Sequence, residues 1–278
     1  MPTEDRTRSL DHIENMLRAA GGIEVSAREL LKRRSPIDVL EVGFGHGRAL
    51  LELAWRLRDG DVTLHGVDIG YKSPIEVRED LRGIAREYDI VPAADIDAFE
   101  LPHIDFYDAT RLRFEDESID LIYSAVTIRF MRDKALFIEE ACRVLRPGGH
   151  AILHIGENNW DYPAGPIADE RILTPYTSRL VLKHGHELIP LPAYLKLFEG
   201  EAFRFELTPS SRCILIVDKL APGTLALDLD YNDELSMAGR KLPLLGRKGD
   251  VRGGFRTVYD VRSPVRERLI AEGLLSAS

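Results

Sequence analysis

Residues 39–47 read VLEVGFGHG, an apolar run that breaks into alternating glycines. A strand running into a Gly-rich turn lets a ligand approach backbone amides that side chains would otherwise cover. Nucleotide-like cofactors are held this way, so the first question is which cofactor the glycines serve.

Outward from this stretch, strands and helices alternate. The spacing predicts helices over 8–20 and 26–33, then a strand over 37–42 that ends at the glycines. In GRALLELAWRLRDG, Leu50, Leu53, Ala54 and Leu57 share one helical face and Gly60 is a stop signal. A second strand is expected at 62–68, a helix at 75–88, a third strand at 103–110 and a fourth at 119–124. A helix over 133–145 runs to the breaker Pro147-Gly148-Gly149, and a fifth strand follows at 150–155. Such alternation implies a parallel sheet covered on both faces, with ligands at the carboxyl ends of its strands. FRFELT (203–208) and RCILIV (212–217) are joined by three residues only, which permits an antiparallel hairpin and forbids a parallel crossover.

The expected fold is therefore α/β: a Rossmann-like, mostly parallel seven-stranded sheet closed by an antiparallel hairpin, with helices on both faces. Residues 1–217 form the core with its N-terminal helices, and 156–200 is expected to be a helical, loop-rich connection on the substrate side. Residues 218–278 are a C-terminal extension, read as a lid or a dimer element.

Composition sets outer limits. The 278 residues are 44% hydrophobic and 30% charged, as in ordinary globular chains. A formal net charge of −9 disfavours broad contact with nucleic acid. The acidic, polar opening MPTEDRTRSLDHIENM lacks the pattern of a signal peptide, and no apolar run approaches a membrane span. A cytoplasmic location is the expectation. Cys142 and Cys213 fit neither a disulfide framework nor a paired metal motif, and read as small core residues.

A dinucleotide turn requires G-x-G-x-x-G, whereas Gly43, Gly45 and Gly47 give G-x-G-x-G and Arg48 stands where the third glycine would be. Asp68, ending the second strand, is placed to accept hydrogen bonds from ribose hydroxyls. Glu41 sets a second carboxylate beside the turn, which opposes a pyrophosphate and suits a cationic ligand.

With GVD (66–68), DATRLRFEDESIDLIYS (108–124) and VLRPGGHAIL (144–153) in order after VLEVGFGHG, residues 37 to about 155 resemble a class I S-adenosylmethionine-dependent methyltransferase. The resemblance implies S-adenosyl-L-methionine as cofactor. It places its methionine part and ribose along the backbone of Gly43, Gly45 and Gly47, the ribose hydroxyls on Asp68 and the adenine against Ile69. Asp108 and Ala109 resemble the position that reads the adenine edge, and Ser124 the point where such proteins open into the substrate site. The methyl group would pass to an oxygen or nitrogen of a small molecule. No metal is expected, and a homodimer is compatible with the reading.

On the substrate side, His154 near the end of the fifth strand is a candidate base, with a hydrogen-bonded structural histidine as the plainer alternative. Glu157 follows at the same mouth, ahead of Asn158, Asn159 and Trp160. Arg129, with Phe130, stands where many small-molecule relatives carry a pair of histidines, and is a candidate for binding a substrate carboxylate, with a surface salt bridge as the alternative. His184 and His186 in KHGHE read as a solvated turn rather than a metal site. Alternation of Leu225, Leu227, Leu229 and Tyr231 suggests a half-buried strand whose acids, Asp228, Asp230 and Asp233, face water. Residues 239–256 hold six basic residues against one acid, which reads either as a glycine-rich loop folding over the site or pairing with those acids, or equally as a solvated surface loop.

Three rivals remain on sequence grounds, of which a dehydrogenase is disfavoured by Arg48 and by the closing hairpin. After the fourth strand a tRNA methyltransferase of the guanine-N7 kind carries a Pro-Asp-Pro-Trp motif, where this chain has SAVTIRFMRDK. A cofactor-binding regulatory subunit without turnover would keep the same glycines.

Overall fold

The computed structural model describes residues 7–69, 74–157, 165–166, 180–208, 212–238 and 255–277. Helices α1 (Leu10–Leu17) and α2 (Ile23–Arg33) precede β1 (Ile37–Val42). The Glu14 carboxylate accepts from the amides of Ile23 and Glu24, so α1 caps the orphan donors that open α2. This explains why α2 begins three residues ahead of the expected start at 26. Then come α3 (Arg48–Arg56), β2 (Val62–Asp68), α4 (Pro74–Glu87), β3 (His103–Phe106), β4 (Ile119–Ser124), α5 (Lys134–Val144) and β5 (Leu145–Glu157).

The chain continues through β6 (Gly165–Pro166), β7 (Leu180–His184), β8 (Glu187–Ile189), α6 (Leu191–Lys196), β9 (Phe203–Leu207) and β10 (Arg212–Lys219). It ends in β11 (Leu229–Tyr231), β12 (Met237–Ala238), β13 (Phe255–Val261) and α7 (Ser263–Ala271).

The first sheet has seven strands in the order β3-β2-β1-β4-β5-β10-β9. Strands β1 to β5 pair in parallel, and β10 is antiparallel to both β5 and β9. The mostly parallel sheet and its closing hairpin thus follow the expectation. Alternate residues serve opposite faces: Val39, Leu121 and Tyr123 pack with α1 to α4, while Leu40, Val42 and Ile122 pack with α5 and the C-terminal segments. Strand order reverses between β1 and β4, and that switch point opens a crevice at their carboxyl ends.

Some boundaries differ from expectation. The third strand stops at Phe106, because the Asp108 side chain accepts from the Thr110 amide and turns the chain into a short 3-10 helix over Ala109–Arg111. Pro147-Gly148-Gly149 lies inside β5 rather than ahead of it, at an irregularity in the β4–β5 register. There is no room for a side chain at Gly149, since a Cβ would press on the Asp120 carbonyl.

The described part of residues 156–200 is not chiefly helical. Among the described residues they hold β6, β7 and β8 and the single short helix α6. Leu180–His184 and Glu187–Ile189 form a hairpin about the two-residue turn Gly185-His186, with Gly185 at φ +55°. The KHGHE motif is therefore that turn, with His184 Nδ1 at the Val261 carbonyl, and no metal-ligating cluster occurs among the described residues.

The C-terminal extension completes this second sheet, in the order β11-β13-β7-β8-β6, with β13 parallel to β7. Of the expected strand around 225–231, only Leu229–Tyr231 pairs in the sheet, although Leu225 and Leu227 are buried. Asp228 and Asp230 both pair with Arg262, and Asp233 pairs with Arg132. These acids therefore have cations from elsewhere in the fold. Of the basic stretch 239–256, residues 239–254, including Arg247 and Lys248, lie outside the described residues. Cys142 and Cys213 are both buried in the core, as expected.

Candidate cofactor site

The site is built at the carboxyl ends of β1, β2 and β4. Gly43 leaves β1 with φ +84°, its amide donating to the Val67 carbonyl at 2.7 Å. A Cβ at Gly43 would overlap the Thr127 side chain, so glycine is required both by backbone and by neighbour. Gly47, at φ +83°, opens α3, and a Cβ there would overlap Leu81.

Gly45, at φ +60°, donates its amide to Asp68 Oδ2 at 2.8 Å, while Asp68 Oδ1 accepts from the Ile69 amide at 2.6 Å. One carboxylate thus ties the turn after β1 to the end of β2. A carboxylate offers about four acceptor positions, so two remain for a vicinal diol. Beside it Ile69 is 67% exposed, an apolar side chain left in the open next to the site. Asp108 is exposed, with its carboxylate also accepting from Thr110 Oγ1 at 2.9 Å, and Ala109 is buried behind it.

Glu41 lies beneath the turn and is buried, with the Tyr123 hydroxyl donating to Oε2 at 3.0 Å. Burial pushes its carboxyl up to about 7, against the pull of the Tyr123 hydrogen bond, and the negative Asp68 nearby adds to the rise. A cation in the crevice would reverse that balance and favour the carboxylate. The donor set therefore fits a ligand with a diol at one end and positive charge at the other.

Ser124 is fully buried; its hydroxyl donates to the Val42 carbonyl at 2.9 Å and binds the ends of β1 and β4 together. It is enclosed rather than open to a substrate. His154 is 1% exposed, and its Nδ1 accepts from the Val126 amide at 3.1 Å. With Nδ1 engaged as an acceptor, the neutral ring carries its proton on Nε2, so neither nitrogen is the free lone pair a base requires. Geometry therefore supports the hydrogen-bonded alternative for His154.

Arg129 sits in the 3-10 turn Thr127–Phe130 that follows β4, its guanidinium 5.3 Å from the centre of the Phe130 ring. Phe130 itself is exposed. Glu157 ends β5, but its side chain lies outside the described residues.

Sequence reasoning missed Tyr123, Val126 and Thr127. Tyr123 looks like any apolar strand residue until the partner strand shows what its hydroxyl meets. Nothing in Ser-Ala-Val-Thr marks a turn that closes on Gly43.

Residues 40–153 match the family model of the methyltransferase domain. Residues 40–153 of this chain form a methyltransferase domain. The segment spans the glycine turn, Asp68, Asp108 and the strand order around the switch point. Among curated proteins, the domain is similar to 27-O-demethylrifamycin SV methyltransferase of Amycolatopsis mediterranei, at 28% identity over 124 residues, 45% of this chain and 40% of that one. It is also similar to phthiotriol/phenolphthiotriol dimycocerosates methyltransferase 1 of Mycobacterium ulcerans, at 30% over 202 residues, 67% of this chain and 64% of that one. The chain thus spans between 40% and 64% of the length of these two relatives. Among solved structures, the CurJ carbon methyltransferase aligns at a TM-score of 0.45 with 16% identity, covering 73% of this chain and 55% of that one.

Proposed function

We propose that this methyltransferase domain transfers a methyl group from S-adenosylmethionine to an oxygen or nitrogen of a small molecule. The observation that carries the cofactor assignment is the Asp68 carboxylate, tied to Gly45 and Ile69 with acceptor capacity to spare, above the buried Glu41. The sulfonium of the donor supplies an electrophilic methyl carbon. The protein's part is then to align an acceptor with it and to exclude water.

Each residue contributes to that alignment. Asp68 would hold the ribose hydroxyls, the turn Gly43–Gly47 would let the methionine portion approach backbone, and Ile69 would cover the adenine. Asp108 and Ala109 stand at the adenine edge. Arg129 and Phe130, on the turn after β4, would bound the acceptor pocket, and Glu157, which ends β5, would take a proton from the acceptor. The relative that acts on a 27-O-demethylated rifamycin favours an oxygen acceptor. A net charge of −9 speaks against a polyanionic substrate, and no helix among the described residues is long and apolar enough to cross a membrane.

The test is a thermal-shift and calorimetric comparison of S-adenosylhomocysteine with NAD. Stabilisation by S-adenosylhomocysteine is expected, and stabilisation by NAD alone would sink the proposal. Asp68→Ala removes a charge-assisted contact and is expected to weaken binding by about 1.5–3 kcal/mol. Unchanged affinity would remove Asp68 from the site.

A further inference from the structure

We infer that His154 is a positioning residue for the cofactor turn: by accepting the Val126 amide it holds the loop that seats Thr127 against Gly43. The inference rests on the cofactor reading proposed above, and names a determinant of that site which does not touch the cofactor itself.

The connection is short and continuous. β5 lies beside β4, with Leu153 opposite Ser124, so His154 stands next to the point where the chain leaves β4. Two residues beyond Ser124, Val126 takes φ +73° and ψ −33°. A β-branched residue is a clear outlier there, because its Cβ crowds the neighbouring carbonyls. Such a backbone persists only where its surroundings over-determine it, and the His154 Nδ1 bond to the Val126 amide, inside the fold, is one such constraint.

The consequence falls on the next residue. Thr127 opens the 3-10 turn and its side chain occupies the space that a Cβ on Gly43 would need, with Oγ1 donating to the Gly43 carbonyl at 3.4 Å. On its other side Gly43 donates to Val67. The first glycine of the turn is therefore clamped between β2 and the loop after β4, and His154 secures the second jaw. Relaxing Val126 toward an ordinary backbone would withdraw Thr127 and leave the turn one restraint short.

Four variants and one spectrum test this. His154→Leu keeps bulk and removes the acceptor, and is expected to weaken S-adenosylhomocysteine binding about tenfold by calorimetry, as for loss of one buried hydrogen bond. His154→Asn puts an amide oxygen near the place of Nδ1 and should recover affinity to within about threefold of wild type. Val126→Gly allows positive φ without help, so in the His154→Leu background it should restore most of the lost affinity. The single Val126→Gly variant sets the baseline against which that rescue is read.

Thermal melts show which variants fold. Nitrogen-15 spectra of histidine in the wild type should show the Nε2–H tautomer at His154, and an Nδ1–H tautomer or an imidazolium would overturn the inference whatever the variants do. A wild type that ignores S-adenosylhomocysteine breaks the cofactor reading itself. A wild type that binds, with His154→Leu binding equally or Val126→Gly giving no rescue, breaks only the positioning role.

Discussion

The two sheets of this molecule each have a buried ionisable group that burial drives to about 7, from opposite sides. In the first sheet it is Glu41, raised from an ordinary 4.5. Against the second sheet it is Lys134, lowered from 10.5 by burial although the Asp133 charge opposes the shift. Lys134 is fully satisfied as a structural pin, donating to the Met131 carbonyl at 2.9 Å and to Thr257 Oγ1 of β13 at 3.1 Å. Glu41 has the Tyr123 hydroxyl on one side and the Asp68 charge of the glycine turn nearby. The difference separates a region prepared for a ligand from one whose polar groups serve to fasten distant segments. Around the pin, Thr257 Oγ1 donates to the Arg132 carbonyl, and the Tyr259 hydroxyl accepts from the Ala135 amide and donates to Asp133.

The largest expected effect tests the ligand side. Gly43→Ala adds a Cβ that overlaps Thr127 on a backbone at φ +84°, and is expected to abolish S-adenosylhomocysteine binding in calorimetry. Gly148→Ala is its control: φ is +85°, but the space around it is open. It should cost about 1–2 kcal/mol of stability from the left-handed backbone alone and leave binding intact. Equal effects of the two would show that Thr127 does not guard the turn.

The two buried groups give opposite pH dependences. Between about 4.5 and 7 the folded chain holds a proton on Glu41 that the unfolded chain has released. Its stabilising contribution is complete below about 4.5 and is lost as pH rises through about 7. Between about 7 and 10.5 the unfolded chain holds a proton that folded Lys134 has released, so stability rises with pH across that window. Each slope is at most about 1.4 kcal/mol per pH unit. Urea denaturation across pH should show Glu41→Gln flattening only the acid limb and Lys134→Met only the alkaline one. A variant that flattens the other limb, or neither, breaks the pairing of group to region.

The smallest effect tests the fastening side. Tyr259→Phe leaves the Ala135 amide without its hydroxyl partner and should cost about 1–3 kcal/mol of stability. S-adenosylhomocysteine affinity should stay within about twofold of wild type. A tenfold loss would mean that the second sheet also governs the cofactor site, and the contrast between the regions would fail.

How much was legible follows the same divide. In the first sheet each strand is a compact apolar run bounded by glycine, proline or aspartate, and its neighbours obey the short right-handed logic of alternating strands and helices. The glycine turn, Asp68 and the closing hairpin could therefore be read directly. Asp108 was legible as a residue, but not as the cap that ends β3. The second sheet pairs Leu180–His184 with Phe255–Val261, which are separated by more than seventy residues. No periodicity in either segment names its partner, because a strand's pattern reports which face is buried and not what lies beside it. For the same reason residues 156–200 read as a loop-rich connection.

By itself, the sequence determined the family of the turn: alternating glycines after an apolar strand, Arg48 in place of a third dinucleotide glycine, and an acid ending the next strand. These are local requirements, set by backbone conformation and by charge within a few residues. Only the tertiary structure decided what VLEVGFGHG rests on. Glu41 is raised because its own strand is central and buried, Ser124 is enclosed because β1 and β4 meet there, and His154 Nδ1 is engaged because β5 brings it to the Val126 amide. Each of these depends on neighbours across the sheet, and hydrogen bonds between strands are formed by the fold rather than by the order of residues along the chain.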